Sequence, residues 1–384
     1  MTGNSRTPTD ANVLVPVAHA GLDRPTELTL EPVDGIAKWL GRTLGTLALR
    51  AVSMEEQDPA LVRAWTSPTK GYFRRDRHVH PIVEPTSYRL SVTGVANPRV
   101  FTLADLSELP REHRVCVMEC AGNGNHVMGS AGLMGQAHWS GPSFASLLDA
   151  CGGPGDATHF AFHGLDRVLA LKAGYHYGLS LAELTSARAL LALEMNGQPL
   201  SRRHGFPVRL IVPRIYSMSH VKWLGSIEGK PQPHQGIHNR LVFTNKERHG
   251  QRWVRVQVRW IGLKSMLTRC HRCGDAWELH GWAWGGGGPI ARVDVTTDGG
   301  QCWEPAEIRS PSEMVEADEP LRASDVEGAW CSFSYRWRPH GSGPYLLASR
   351  AYDQDGRAQP LEPDPNVRGH FDQTAVKWRK VNVP

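Results

Sequence analysis

The stretch Val117-Met-Glu-Cys120-Ala-Gly-Asn-Gly-Asn125 sets a cysteine at the end of an apolar run, directly before a glycine turn. The run from Arg114 to Cys120 reads as a buried strand. The Gly and Asn residues after it supply the positive φ angles that a turn needs. Cys120 would then project from a rigid element into open surroundings, where a thiolate suits a soft metal or a nucleophilic reaction. An inert core thiol is the competing reading, since free cysteine is among the most buried residue types.

A second set of residues is basic. Phe73-Arg-Arg75-Asp-Arg77-His78, His204-Gly-Phe-Pro-Val-Arg209 and His220-Val-Lys222 flank apolar segments. Arginine forks and lysine point charges are natural partners of phosphate oxygens, so the three clusters could line one anion pocket. Solvated surface charge is the alternative. Cys270-His-Arg-Cys273 is a single CxxC, half of a zinc site with no second pair. It also lacks the following histidine that haem attachment requires, and it reads as a hairpin-loop pair. A cysteine hydrolase would pair Cys120 with His126 or His138, and nothing else favours it. No Walker loop, Rossmann fingerprint, HExxH motif or nucleophile elbow is present.

The chain that must position these groups has 384 residues, 43 basic against 38 acidic side chains, and a 40% apolar fraction. That length predicts two or three domains, and the apolar fraction excludes a mainly disordered chain. No stretch approaches the ~20 apolar residues of a membrane helix. The basic residues form no single stripe, which argues against nucleic acid as a partner. Seven cysteines make an odd count, against a complete disulfide framework. The opening residues lack an apolar signal core, so the cytoplasm is expected, with the periplasm as the alternative. Tyr88, Leu90 and Val92 alternate as in a half-buried strand. Thr102 with Asp105, and Ser180 with Glu183, have capping-box spacing. A helix is expected near Gly35–Leu49, a loop over 129–141, and another short helix at Phe144–Cys151. Beyond about residue 250, alternating segments at Val254–Trp260, Ala291–Thr297, Tyr345–Arg350 and Val376–Val383 indicate strands, with Asp298-Gly-Gly as a hairpin turn.

In order along the chain, these pieces resemble the sulfite oxidase family of molybdenum enzymes. Cys120-Ala-Gly-Asn123 is similar to the family's CAGN segment. Phe73-x-Arg75 resembles its FxRxH-type segment, with Arg77 in place of the histidine or His78 displaced from it. Phe162-His-Gly-Leu-Asp166, Tyr177-Gly178, Glu194–Leu200, His204–Arg209, Val221–Leu224 and Gly281-Trp-Ala-Trp-Gly continue the likeness over about residues 70–384. The resemblance implies an α+β fold. It divides into an N-terminal arm (1–65), a molybdopterin-binding oxidoreductase domain (66–245) and an immunoglobulin-like dimerisation domain (246–384). It implies molybdenum ligated by Cys120, a catalytic Arg75 near the metal, and a pyranopterin cofactor contacted by Phe73, Arg75, Arg77, Asp166, His204, Arg209, His220 and Lys222. The implied chemistry is oxygen-atom transfer to a small sulfur oxyanion or a sulfane substrate. Electrons would pass to a cytochrome c-type acceptor, since no haem segment accompanies the domains, and the chain would form a homodimer. Three departures stand out: Gly124-Asn125 where relatives carry arginine, a Gly285–Gly288 loop without a basic residue, and no evident tyrosine beyond Lys222, where His234–His238 lies instead. These features are closer to the molybdenum subunit of sulfane dehydrogenase.

Overall fold

The computed structural model describes residues 27–32, 54–55, 64–124, 132–167, 174–315 and 321–384. The helix expected near Gly35–Leu49, most of the 1–65 arm, Asn125 and His126 lie outside the described residues. The described protein is mostly sheet. Its three α-helices, among the described residues, are Leu103–Glu108, Phe144–Ala150 and Leu181–Ser186. Helices this short are not stable alone. Each is instead fixed by a cap and by buried apolar residues: Thr102–Asp105 and Ser180–Glu183 form capping boxes over buried Leu106 and Leu184, and Ser143 caps the helix that buries Phe144, Leu147 and Leu148.

The first half of the chain contains two main sheets. One has the order His176–Ser180, His159–Gly164, Leu224–Lys230, Leu90–Thr93, Arg99–Phe101, with Leu224–Lys230 and Leu90–Thr93 parallel. The other is built on a long hairpin, Arg111–Glu119 against Met134–Pro142, in continuous register from Arg111↔Pro142 to Glu119↔Met134. The expected loop over 129–141 is therefore strand from Met134 onward. Its glycines serve close packing as well as turning: a Cβ on Gly141 would sit 2.1 Å from the Leu191 carbonyl oxygen. Composition alone does not separate those two uses of glycine.

In the second half, two five-stranded sheets share one core. Lys264–Cys273, Ala276–Trp284 and Cys331–Trp337 centre the first sheet; Ile290–Thr296, Gly343–Asp353 and Arg379–Val383 centre the second. Leu267, Leu279 and Phe333 from one face meet Val293, Leu347 and Val381 from the other. The described arm residues divide: Glu27–Leu28 and Glu31–Pro32 each add an edge strand to one of these sheets, whereas Met54–Glu55 pairs with Arg74–Arg75 of the first half. The expected strand at Val254–Trp260 is present as Arg252–Gln257, but it stands outside these sheets. It pairs with Thr244–His249, whose other side pairs with Val367–Arg368, in a separate three-stranded sheet, where Val254 is exposed. Cys270 and Cys273 lie within a strand and not in a loop. An odd spacing puts them on opposite faces: Cys270 is buried, Cys273 is exposed, and both are free thiols.

A buried polar cluster joins the halves directly behind Cys120. Glu119 is fully buried; its Oε1 accepts from Lys264 Nζ at 2.8 Å and from Asn123 Nδ2 at 2.9 Å, and its Oε2 accepts from Trp284 Nε1 at 2.9 Å. Lys264 also donates to the Tyr216 hydroxyl at 2.8 Å, which in turn donates to Asp372 at 2.5 Å. Breaking such a pair from one side strands a buried charge at a cost of about 3–5 kcal/mol. Lys264→Met should therefore lose that much stability in urea unfolding, and Glu119→Gln combined with Lys264→Met should recover part of it. A loss under about 1 kcal/mol would show that this pair does not hold the junction.

Candidate active site

The strand Arg111–Glu119 ends one residue before Cys120, whose amide donates to the Leu133 carbonyl at 2.9 Å. A turn follows, closed by Asn123 N–H to the Cys120 carbonyl at 2.8 Å. The thiol is left partly exposed at the wall of a cavity of about 250 Å³. All nine residues singled out from the sequence line this cavity: Phe73, Arg75, Arg77, Cys120, Asp166, His204, Arg209, His220 and Lys222. Segments more than a hundred residues apart therefore converge on one volume. Tyr177 does not line it; that ring is buried in the core, and its hydroxyl accepts from Gln257 at 3.1 Å. His138 is also absent from the lining, and its Nε2 lies 2.9 Å from His113 Nδ1.

The floor is cationic and poorly solvated. Arg209 is buried; it donates to Met118 Sδ at 2.9 Å and to the His204 carbonyl at 3.2 Å, while its Nε has no partner. Burial pushes Arg209 down to about 10, still a cation at neutral pH. Burial, reinforced by Arg209 and Lys222, lowers His204 to about 4, so that ring is neutral. His220 is pushed to about 3 by burial and Arg209; its Nε2 meets the Ile215 carbonyl, and its Nδ1 is buried without a partner. Burial also lowers Lys222 to about 8, despite the opposing pull of Asp76. Gly205 lets these groups approach one another: at φ 110°, a Cβ there would press on Lys222 and Arg209 at 3.1–3.2 Å.

Asp76, which the sequence did not single out, is the counter-charge. It is buried and accepts from Lys222, from Arg74 at 2.7 Å and from His80 at 2.5 Å. Burial alone would raise its carboxyl, but Lys222 and His80 outweigh that and hold it below the ordinary range. Across the cavity, Asp166 meets His78 Nδ1 at 2.8 Å and accepts from the Tyr175 amide at 3.2 Å. His78, left open from the sequence, thus orients the acid. Arg75 donates to the Asp76 carbonyl at 2.6 Å, and Arg77 lies over the Phe243 ring at 4.9 Å. Tyr175 places a phenol in the wall, its hydroxyl donating to the Met218 carbonyl at 2.6 Å, with His238 packed against the ring at 4.6 Å. His370 and Phe371, from the second half of the chain, complete the lining. Asp76 and His78 lie within the Phe73–His78 cluster, but only tertiary contact reveals their roles and the presence of Tyr175, His370 and Phe371.

This cavity, with a thiol in one wall and cations beneath it, can hold an anionic ligand and present a soft sulfur donor to a metal. Comparison with known proteins points the same way. The sequence profile described as "Oxidoreductase molybdopterin binding domain" matches residues 77–238, and "Mo-co oxidoreductase dimerisation domain" matches residues 264–383. Sulfite oxidase of Gallus gallus is 30% identical over 342 aligned residues, covering 80% of this chain and 72% of that protein. The chain belongs to the sulfite oxidase family. Sulfite oxidase of Arabidopsis thaliana is 28% identical, with 94% of this chain and 97% of that protein covered. Mitochondrial sulfite oxidase of Homo sapiens is 29% identical over 87% of this chain, and the match spans 64% of the human protein. Among solved structures, the sulfane dehydrogenase SoxCD from Paracoccus pantotrophus shares the fold, with a TM-score of 0.71, 23% identity and coverage of 85% of this chain and 86% of that one.

A cavity charged in this way makes its anion affinity depend on Lys222. That side chain loses its proton as pH rises through about 8, so affinity falls with rising pH. Binding of a phosphomonoester dianion to cofactor-free protein should weaken about tenfold or more between about pH 7 and pH 9, the worth of one charge-assisted bond. Lys222→Met should bind weakly and flatten the profile. A flat profile in the unmutated protein would remove Lys222 from the anion site.

Proposed function

We propose that the protein is a molybdenum-dependent oxidoreductase that oxidises sulfite, with electrons passing to a cytochrome c. The supporting observation is the single cavity that gathers Cys120 with Arg75, His204, Arg209 and Lys222. These residues fit the family's cofactor on two grounds. Arg209 Nε and His220 Nδ1 are buried without partners, which is costly unless a ligand completes them. A thiolate is also the soft donor that a sulfur-rich metal site requires. Arg209, Lys222 and His204 would hold the terminal phosphate, Arg209 and Lys222 by charge and neutral His204 by hydrogen bonding. Asp166, oriented by His78, would accept N–H groups of the pterin; each carboxylate oxygen retains a free lone pair for this. Cys120 would ligate the metal. When bound, the cofactor supplies the oxygen atom and takes the electron pair, as sulfite and water become sulfate, two protons and two electrons. Arg75 and Arg77 attract the sulfur oxyanion and orient it, and Phe243 and Phe371 exclude water from one side. In this reading the sandwich is immunoglobulin-like and pairs two chains about a two-fold axis.

A second reading, oxidation of protein-bound sulfane sulfur, is favoured by the apolar wall of Phe243, Phe371 and Met218 and by glycine at position 124 in place of arginine. Purified from a host able to make the cofactor, the protein should carry near-stoichiometric molybdenum and pterin and reduce cytochrome c on addition of sulfite. Cys120→Ser should keep the pterin but lose more than about 100-fold in turnover, beyond the 10–100-fold typical of outer-shell changes. Absence of molybdenum would overturn the proposal. A loaded protein inert to sulfite but reduced by a persulfide substrate would favour the second reading.

A further inference from the structure

The sandwich carries a side-chain cluster that the cavity does not use. His271, between the two cysteines of Cys270-His-Arg-Cys273, lies directly opposite Glu278 on the neighbouring strand, and His280 follows two residues after Glu278 on the same face. Cys270, Trp277 and Leu279 point into the core, so these three side chains share the outer face of the sheet. They are partly shielded, with side-chain exposures of 16%, 33% and 37%.

Glu278 sits between the two rings, 3.5 Å from His271 Nε2 through one oxygen and 3.5 Å from His280 Nε2 through the other. That exceeds the ~2.7–3.2 Å range of an N–H···O hydrogen bond. Each imidazole faces its own carboxylate oxygen, at a spacing comparable with the ~3.3–3.6 Å between neighbouring ligand atoms around a metal with arms of about 2.0–2.2 Å. One potential ligand atom from each residue lies within 4.8 Å of the other two. The rings are nearly parallel, 8° apart with centroids at 5.1 Å, and His271 Nδ1 is buried without a hydrogen-bond partner. Hydrogen bonding within the protein therefore does not account for the arrangement. Two imidazoles and a carboxylate are a ligand set typical of zinc, leaving a fourth position for water.

The geometry points to a zinc site formed by His271, Glu278 and His280 on the outer face of the sandwich, separate from the molybdenum cavity. The paired strands supply all three ligands, so the metal would staple Lys264–Cys273 to Ala276–Trp284. The same long strand carries Lys264, the partner of Glu119.

Full-length protein, dialysed against a chelator, should bind one zinc ion per chain by calorimetry. Cobalt(II) in its place should show the intense visible bands of a tetrahedral site. His280→Ala and Glu278→Gln should each weaken binding at least tenfold, whereas Cys273→Ser should leave it unchanged. Zinc should also raise the unfolding midpoint of the unmutated protein and not that of His280→Ala, because a ligand stabilises only the state that binds it. The site is refuted if the unmutated protein does not bind zinc at micromolar concentration, if His280→Ala and Glu278→Gln bind it equally well, or if Cys273→Ser abolishes binding. Molybdenum content, measured in parallel, should be the same in all variants, which separates this test from that of the cavity.

Discussion

Like charges confined in one poorly solvated cavity repel each other, and the rest of the structure answers that constraint. Arg209, Lys222 and Arg75 face the same volume, and burial lowers the proton affinity of each. Asp76 supplies a carboxylate but spends it on Lys222, Arg74 and His80. Two buried nitrogens at the cavity remain without protein partners. A fold that keeps such groups does so against its own stability, the pattern expected where an anionic ligand completes the site.

The thiol is held by a different device. Cys120 follows the last residue of a fully paired strand, and Glu119 beside it is gripped by Lys264 and Trp284 from the other half of the chain. The Asp372 amide donates to the Ala121 carbonyl at 2.8 Å, so the turn after the cysteine is tied to the same segment that sends His370 and Phe371 into the cavity. The second half of the chain thereby forms part of the site wall as well as its support.

Family membership and substrate rest on different residues. Cys120, His204, Arg209 and Lys222 line the cavity, whereas Gly124 lies outside its lining. At Gly124 a Cβ would lie 3.5 Å from Lys377 Nζ, so a cation from the second half stands beside the turn after the cysteine. A fold carries many chemistries through local changes, so the substrate is argued from the site and not from the fold.

The sequence by itself determined the local features: the capped helices at Thr102 and Ser180, the strand that ends at the cysteine, the alternating strands of the second half and nine of the residues that line the cavity. Each rests on interactions between near neighbours, or on short motifs that keep their spacing. Only the tertiary structure decided that three basic clusters share a cavity, that Asp76 and not solvent neutralises Lys222, that Tyr175 and not Tyr177 faces inward, and that Gly141 serves strand packing. It also decided that Cys270 and Cys273 lie on opposite faces while His271 and His280 share one. All of these depend on which strands pair and in what register, and register is set by long-range burial that a local pattern does not encode.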